Sequence, residues 1–266
     1  MRIGALLFLM VVVAGGVRAE TVRFAGGGGA LLEAVLFRPE GPPRAPAVVA
    51  LHGCAGPLPA RDHAWARHLA GLGHLVLLPD SFGSRGLGSQ CRTGNRSVTA
   101  SGLRRDDALA AARWLADQPG TPAGGVAVLG WSDGGSTVLA TAAWRQDNPP
   151  GLLRGFVAFY PGCRQAALNR GARPVAPVLL LIGEADDWTP AAPCRDLAGR
   201  VGPRITLVTY PGAWHDFDAA APLHRMRDIP RSQNPDHGVH AGQDPAARED
   251  AFQRVPAFLD ALPPAP

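Results

Sequence analysis

A serine between two glycines is the first residue in this sequence whose type and surroundings could do chemistry. The segment "VLGWSDGG" covers residues 128–135 and places Ser132 between Gly130 and Gly134. An apolar run precedes it and an alanine-rich segment follows, which predicts a nucleophilic serine on a sharp strand-to-helix turn. Glycines suit such a turn because its backbone is strained and crowded. The alternative is that Ser132 only turns the chain.

A serine hydroxyl becomes a nucleophile when a base removes its proton, and that base is usually oriented by a carboxylate. Asp186 and Asp187 follow an apolar run in "VLLLIGEADDWTP", and His215 follows the next one in "ITLVTYPGAWHDFD". The order serine, acid, histidine predicts a catalytic triad of Ser132, Asp186 and His215. Three alternatives are that Asp186 only forms a turn, that Asp187 is the acid, and that His215 is an ordinary loop histidine.

A triad of this kind also needs donors for the oxyanion that forms on the substrate. The segment "LHGCAG" at residues 51–56 follows another apolar run and could supply one backbone amide. The predicted donors are the backbone N–H groups of Cys54 and Asp133. We expect His52 to order this loop by hydrogen bonding rather than to take part in catalysis.

The elements that must position these residues follow a simple alternation. Continuous apolar runs indicate strands buried on both faces, and the runs between them have helical periodicity. The predicted buried strands are residues 47–51, 75–78, 126–129, 156–159, 178–182 and 205–208, and the predicted helices are about 61–71, 101–117, 134–145, 191–200 and 246–262. This order predicts an α/β fold with a mostly parallel central sheet flanked by helices, and antiparallel edge strands near 21–24 and 31–37. Residues 218–245 are expected to form a flexible surface excursion.

The first 19 residues have the layout of a secretory signal peptide, with an early arginine, an apolar run over residues 3–13 and small residues before Ala19. Cleavage after Ala19 would leave a single domain over residues 20–266, exported to the periplasm or secreted, with no stable membrane insertion. A retained anchor is the alternative, but the apolar run is shorter than the roughly 20 residues that span a bilayer.

Four cysteines in an exported chain suggest two disulfides, for which three pairings exist. The expected fold favours Cys54–Cys91 and Cys163–Cys194, because each pair would join loops at one edge of the sheet. No CxxC pair is present, and His237 and His240 lack a third ligand at metal spacing. We therefore expect neither a metal site nor a cofactor.

The charge of the chain argues against a nucleic-acid partner. The formal net charge of +4 falls to +2 when Arg2 and Arg18 leave with the signal peptide, and no lysine is present. The arginines are scattered, without the basic runs interleaved with aromatic residues that nucleic-acid surfaces use. The sequence does not specify the oligomeric state.

The whole pattern resembles the dienelactone hydrolase family, in particular its exported branch, over about residues 21–262. The segments that carry the likeness are "LHGCAG", "LPDSFGSRG", "GWSDGG", "FYPGC", "IGEADDWTP" and "YPGAWHDFD". The resemblance implies an α/β-hydrolase fold and cleavage of a small carboxylic ester or lactone through an acyl-enzyme. It also assigns the acid to Asp186, through the pattern G-x-x-D-x-x-x-P, and the base to His215.

Three departures from the family pattern concern the substrate. The namesake enzymes have a cysteine where this chain has Ser132, and a glutamate where it has Gly53. They hold the substrate carboxylate with two arginines; Arg85 matches one, and Ala219 stands at the other position. These differences argue against dienelactone itself as the substrate. Arg85 is a candidate ligand for a substrate carboxylate, and the alternative is a surface charge.

Three tryptophans neighbour the proposed catalytic residues, namely Trp131, Trp188 and Trp214. They either wall an apolar acyl pocket or pack in the core. Two other functions stay open. A peptidase or amidase would use the same triad, although the chain shows no propeller or lid domain for selecting peptides. A non-catalytic homologue would keep the fold and bind a small molecule.

Overall fold

The structure is a computed structural model that describes residues 16–143, 150–169, 171, 173–230, 232 and 237–263. The first 15 residues of the predicted signal peptide, and residues 144 and 145 of the third predicted helix, lie outside the described residues. The strands are β1 (Arg18–Ala25), β2 (Leu31–Arg38), β3 (Arg44–Leu51), β4 (His74–Pro79), β5 (Val126–Trp131), β6 (Leu153–Phe159), β7 (Val178–Gly183), β8 (Ile205–Tyr210), β9 (His224–Met226) and β10 (Val239–Ala241). The helices are α1 (Pro59–Gly71), α2 (Leu103–Ala116), α3 (Asp133–Ala142), α4 (Arg164–Leu168), α5 (Ala191–Val201) and α6 (Pro245–Asp260).

Eight strands form one sheet in the order β1-β2-β4-β3-β5-β6-β7-β8. Strand β2 runs antiparallel to β1 and β4, whereas every other neighbouring pair is parallel. The prediction of a mostly parallel sheet with antiparallel strands near its start is confirmed. Helix α4 and the β9–β10 pair were not predicted.

The register of the sheet brings the predicted site loops to one edge. Neighbouring strands finish level with one another, as three pairs show: Leu51 with Gly130, Trp131 with Phe159, and Gly183 with Tyr210. From β3 the chain continues to β4 on one side, and β5 lies on the other side of β3. In open α/β sheets, ligands bind beside the strand ends where the order reverses in this way.

The core explains why the strand runs are apolar without alternation. Every residue of β5 and β7 is buried, because helices pack against this sheet. Large side chains from the helices complete the core, including Trp65 of α1, Leu197 of α5 and Val255 of α6. Edge strand β8 differs, with Ile205 buried and the next residue exposed.

Both predicted disulfides are present, Cys54–Cys91 and Cys163–Cys194. The Cys54–Cys91 bond joins two loops, as expected, whereas Cys163–Cys194 joins the residue before α4 to the first turn of α5. Two disulfides are consistent with an exported protein, because such bonds persist in oxidising compartments.

The prediction of a flexible surface excursion over residues 218–245 is wrong for its described part. Strands β9 and β10 pair with each other, and Ala241 also bridges to His215. The side chains of Ile229 and Val239 are fully buried against the Cys54–Cys91 disulfide. These packing partners come from distant parts of the sequence, so composition alone indicated a loop.

Strand β1 begins at Arg18, so cleavage after Ala19 would remove its first two residues, which pair with Arg38 and Phe37. Export of the chain and its signal peptide stay predictions. Among the residues that the structure describes, no helix has the length and apolar character needed to cross a bilayer.

Candidate active site

Ser132 occupies a strained turn between β5 and α3. Its backbone has a φ of 55° and a ψ of −114°. Residues other than glycine rarely adopt a positive φ, because their side chains clash with the backbone there. The turn is held by surrounding hydrogen bonds: the Ser132 N–H donates to the carbonyl of Phe159 at 2.9 Å, and the Ser132 carbonyl accepts from the N–H of Ser136 at 2.8 Å. The sequence prediction of a sharp strand-to-helix turn is confirmed.

The glycines around Ser132 are there because backbones approach closely. A Cβ added to Gly134 would lie 2.1 Å from the carbonyl oxygen of Leu51, and one added to Gly130 would lie 2.6 Å from the Gly134 backbone. The start of α3 therefore rests directly on the end of β3. The same contact places the predicted oxyanion loop, residues 51–56, beside the serine, since a Cβ on Gly53 would lie 3.6 Å from the Ser132 Cβ.

His215 lies between the predicted nucleophile and the predicted acid. Its Nε2 is 2.9 Å from the Ser132 Oγ, and its Nδ1 is 2.8 Å from Oδ2 of Asp186. Since a carboxylate only accepts, Nδ1 carries the proton and Nε2 is free to accept from the serine hydroxyl. The structure thus joins the three residues in one chain of hydrogen bonds.

Asp186 is fixed by the loop that follows β7. Its Oδ1 accepts from the backbone N–H groups of Trp188 and Thr189 at 2.9 and 2.8 Å, and Oδ2 lies 2.9 Å from the Thr189 hydroxyl. Its side chain is fully buried. These contacts aim the carboxylate at His215 before any substrate arrives.

Asp187, the alternative acid, points elsewhere. Its Oδ1 accepts from the backbone N–H of His240, and its Oδ2 is 2.8 Å from His240 Nδ1. The neighbouring aspartates therefore serve two histidines, and only Asp186 contacts His215. Within the described residues, no group of three histidine, cysteine or acidic side chains could hold a metal ion.

The surroundings of His215 favour its protonated form. Burial lowers the pKa of His215, but the charge and the hydrogen bond of Asp186 raise it, as does the charge of Asp216, against a smaller lowering by Arg61. The net result is a pKa above the ordinary value of 6.5. The neutral base therefore predominates only above that raised pKa.

His52 makes ordering hydrogen bonds in the predicted oxyanion loop, as expected from the sequence. The Nε2 of His52 accepts from the Ser81 N–H at 3.1 Å, and its Nδ1 donates to the Gly53 carbonyl at 2.8 Å. Burial and the nearby Arg104 charge lower the pKa of His52 well below 6.5, which keeps the ring neutral for this pattern. Cys54 is anchored in turn by its disulfide to Cys91.

These strand-end loops and the Ser–His–Asp arrangement point to a family, and the sequence profile of the dienelactone hydrolase family matches residues 32–262. The chain belongs to the dienelactone hydrolase family. It is accordingly a hydrolase of the α/β-hydrolase type. A comparison with curated protein sequences found no match.

Solved structures share the α/β-hydrolase fold at low identity. A dienelactone hydrolase from Anabaena variabilis is 20% identical with a TM-score of 0.66, and the match covers 94% of this chain and 100% of that one. A hyperthermophilic esterase from the archaeon Pyrobaculum calidifontis is 22% identical with a TM-score of 0.63, covering 92% and 85%. A puromycin-hydrolyzing peptidase from Mycobacterium tuberculosis is 21% identical with a TM-score of 0.57, covering 75% and 36%.

The prediction that Arg85 binds a substrate carboxylate, based on the family pattern, is not supported by its position. Both of its terminal nitrogens contact the fully buried Asp107 at 2.8 Å, and they also donate to the carbonyls of Ser81 and Gly27. The guanidinium is thus committed to holding its loop against α2. The paired geometry matches a carboxylate, and the protein supplies that carboxylate itself.

A different pair of arginines, not predicted from the sequence, lies beside the site. The side chain of Asp133, next to Ser132, contacts Arg96 at 2.7 Å and Arg104 at 2.5 Å. Arg104 also donates to the carbonyl of His52 at 2.6 Å. This arginine therefore ties the start of α3 to the oxyanion loop. No local signal in the sequence indicates it, because its partners are 29 and 52 residues away.

The three tryptophans have three different environments. Trp131 is fully buried and stacks on Phe159, so its predicted place in the pocket wall is wrong and the core alternative holds. Trp188 is partly exposed, with its ring centroid 4.6 Å from that of His215, so it borders the site, and its role in binding substrate stays a prediction. The ring of Trp214 packs against the ring of His240, with a distance of 4.5 Å between the two centroids.

Two cavities that share Gly162 in their linings lie near the site. One of about 290 Å³ is lined by Trp188 and Thr189, among other residues, and one of about 460 Å³ by Asp133 and Ser136. Gly162 lines both, and its N–H donates to the Ser136 hydroxyl at 2.9 Å. Space for a small molecule therefore lies beside residues that contact or adjoin the triad candidates.

The glycine contacts give a first test. Gly134→Ala should lower the free energy of unfolding by about 3 kcal/mol or more, because its Cβ would meet backbone oxygen that cannot move aside. Gly71→Ala is the control, since no atom lies within 4 Å of its Cβ, and alanine in this helix should be neutral or stabilising by about 1 kcal/mol. Denaturant unfolding of both variants measures this, and equal stabilities would contradict the close-contact explanation.

The histidine environments give a second test. In ¹⁵N NMR of the imidazole groups, His215 should titrate above pH 6.5 and His52 well below it. In Asp186→Asn, the pKa of His215 should fall, because burial then acts without the main opposing charge. A His215 midpoint that is unchanged in this variant would show that Asp186 does not control it.

Proposed function

We propose that this protein hydrolyses carboxylic ester or lactone bonds of small molecules through an acyl-enzyme on Ser132. The observation that carries the proposal is the chain of hydrogen bonds from the Ser132 Oγ through His215 to Asp186, with distances of 2.9 and 2.8 Å. A neutral imidazole in this position can accept the serine proton, and the carboxylate then stabilises the imidazolium.

In the first half of the reaction, the Ser132 Oγ attacks the substrate carbonyl carbon while its proton passes to Nε2 of His215. The carbonyl oxygen becomes an oxyanion, for which we propose the backbone N–H groups of Cys54 and Asp133 as donors. Asp133 begins α3, where backbone N–H groups lack partners within the helix. The imidazolium next protonates the leaving alkoxide, which departs as the alcohol and leaves an ester on Ser132.

In the second half, a water molecule attacks the acyl-enzyme and gives a proton to His215. The resulting tetrahedral intermediate collapses, the C–O bond to Ser132 breaks, and His215 returns the proton to the serine oxygen. The products are a carboxylic acid and an alcohol, or one hydroxy acid from a lactone. These steps use the chain's own residues and water.

Ester or lactone cleavage is preferred over peptide cleavage for two reasons. The match to the Pyrobaculum esterase covers 85% of that chain, whereas the match to the Mycobacterium peptidase covers 36%. The two cavities beside the site also have volumes at or near the lower end of the range for small-molecule pockets, roughly 300–1,000 Å³. We further propose that the protein acts after export, which the two disulfides and the predicted signal peptide support.

Replacing the nucleophile tests the mechanism. Ser132→Ala should abolish both hydrolysis of p-nitrophenyl acetate and covalent labelling by a fluorophosphonate, with circular dichroism unchanged. Ser84→Ala is the control, since its hydroxyl accepts from the N–H of Glu33 in β2 and contacts no residue of the proposed triad. If wild-type protein resists the fluorophosphonate, the protein is a non-catalytic binding homologue and the proposed function fails.

Replacing each neighbouring aspartate tests the acid. Asp186→Asn should lower kcat by about 10³- to 10⁴-fold, because the amide favours the wrong tautomer of His215. Asp187→Asn changes the same loop but removes only the contact with His240, and kcat should stay within about tenfold of wild type. Steady-state kinetics of both variants on one ester measures these changes. Comparable losses of kcat in the two variants would contradict the assignment of Asp186 as the acid.

A further inference from the structure

A second buried carboxylate lies beneath the proposed triad and has no step in the mechanism above. Asp218 comes three residues after His215 and is 2% exposed. A buried carboxylate without partners is strongly unfavourable, so its environment must supply compensating contacts. The identity of these contacts suggests a role beyond stability.

Three donors from separate segments converge on Asp218. Its Oδ2 accepts from the indole N–H groups of Trp65 at 2.7 Å and Trp131 at 2.9 Å. Its Oδ1 accepts from the hydroxyl of Tyr160 at 2.6 Å. Trp65 belongs to α1, Trp131 ends β5, and Tyr160 follows β6. All three protons point at the carboxylate, so its ionised form satisfies every donor.

Two of these donors adjoin the reacting groups. Trp131 directly precedes Ser132, so its bond to Asp218 ties the nucleophile turn to the loop that carries His215. The ring of Tyr160 lies 4.6 Å from the ring of His215, centroid to centroid. The Tyr160 carbonyl accepts from the Thr189 hydroxyl at 2.9 Å, and Thr189 in turn donates its N–H to Asp186.

Arg61 closes the network from α1. Its Nη1 donates to the Tyr160 hydroxyl oxygen at 3.2 Å and to Oδ1 of Asp216 at 2.9 Å, and its guanidinium carbon lies 4.7 Å from the centre of the Trp131 ring. Because Arg61 donates to the Tyr160 oxygen, the tyrosine proton is free for Asp218. The arginine is itself buried and also pairs with Asp62.

We propose that Asp218 is a positioning residue that fixes the distance and angle between His215 and Ser132, through its bonds to Trp131 and Tyr160. It touches neither substrate nor the reacting atoms. This inference rests on the proposed function for its kinetic consequence, but its effect on the geometry of His215 can be measured without a substrate.

The variant Asp218→Asn retains the size of the side chain and removes one acceptor oxygen. Misplacement of a reacting group by about 1 Å can cost on the order of 100-fold in rate. We expect kcat for p-nitrophenyl acetate, and the rate of fluorophosphonate labelling of Ser132, to fall about 10- to 100-fold, with KM changed by less than about threefold. The low-field proton resonance of His215 Nδ1–H should broaden or shift.

Tyr160→Phe keeps the ring against His215 and removes only the hydroxyl. This variant should also lower kcat. In the double variant with Asp218→Asn, the fold-loss in kcat should be clearly smaller than the product of the two single fold-losses, because both substitutions act through one hydrogen bond. Tyr210→Phe is the matched control: it removes a bond of 2.7 Å to Asp250 between β8 and α6, and should lower stability without changing kcat or the His215 resonance.

Unchanged kcat and an unchanged His215 resonance in folded Asp218→Asn would overturn the proposal, even if thermal stability falls. If circular dichroism shows that Asp218→Asn does not fold, Tyr160→Phe alone tests the proposal. Unchanged kcat and an unchanged His215 resonance in that variant would then overturn it. If the wild-type protein hydrolyses no ester, the proposed function fails, and the resonance still tests the positioning role.

Discussion

The backbone of α3 at Gly134 lies against the last residues of β3, too close for any side chain between them. This contact follows from the parallel pairing of β3 with β5, in which Leu51 lies opposite Gly130. It brings the predicted oxyanion loop and the nucleophile turn together by direct backbone contact. The positions of Cys54, Ser132 and Asp133 thus depend on the register of two neighbouring strands of the sheet.

Around this contact, the protein buries charged side chains at positions where a core usually has apolar ones. Arg61, Arg104 and Asp218 are each at most 4% exposed. Buried charges demand partners, so each holds several segments in one arrangement, and losing a partner is costly. The chain has no lysine, and the planar guanidinium of arginine suits contacts to two groups at once, as Arg104 makes to Asp133 and His52.

The sequence was sufficient for those features that depend on where strands end. Ser132, Asp186 and His215 each follow an apolar run, and parallel strands finish at one edge, so their proximity could be predicted. The side-chain surroundings of Arg85 and Trp131 could not be predicted, because sequence spacing places a backbone segment without saying where its side chain points or which charge it meets. The buried part of residues 218–245 also escaped prediction, since its packing partners are Cys54 and Cys91, more than 130 residues earlier along the chain.

That unpredicted segment also supports His215. Ala241 bridges to His215, and the N–H of Gly242 donates to the His215 carbonyl at 2.8 Å. Strand β10 also contributes Val239 to the cluster around the Cys54–Cys91 disulfide, against which Trp188 packs. The loop of the proposed base is therefore connected to the Cys54 loop through the disulfide cluster, and to the nucleophile turn through the buried carboxylate. Because two connections hold these loops, their backbone dipoles need little reorientation when negative charge develops on the substrate oxygen. Dipoles that are fixed in advance in this way stabilise a transition state best.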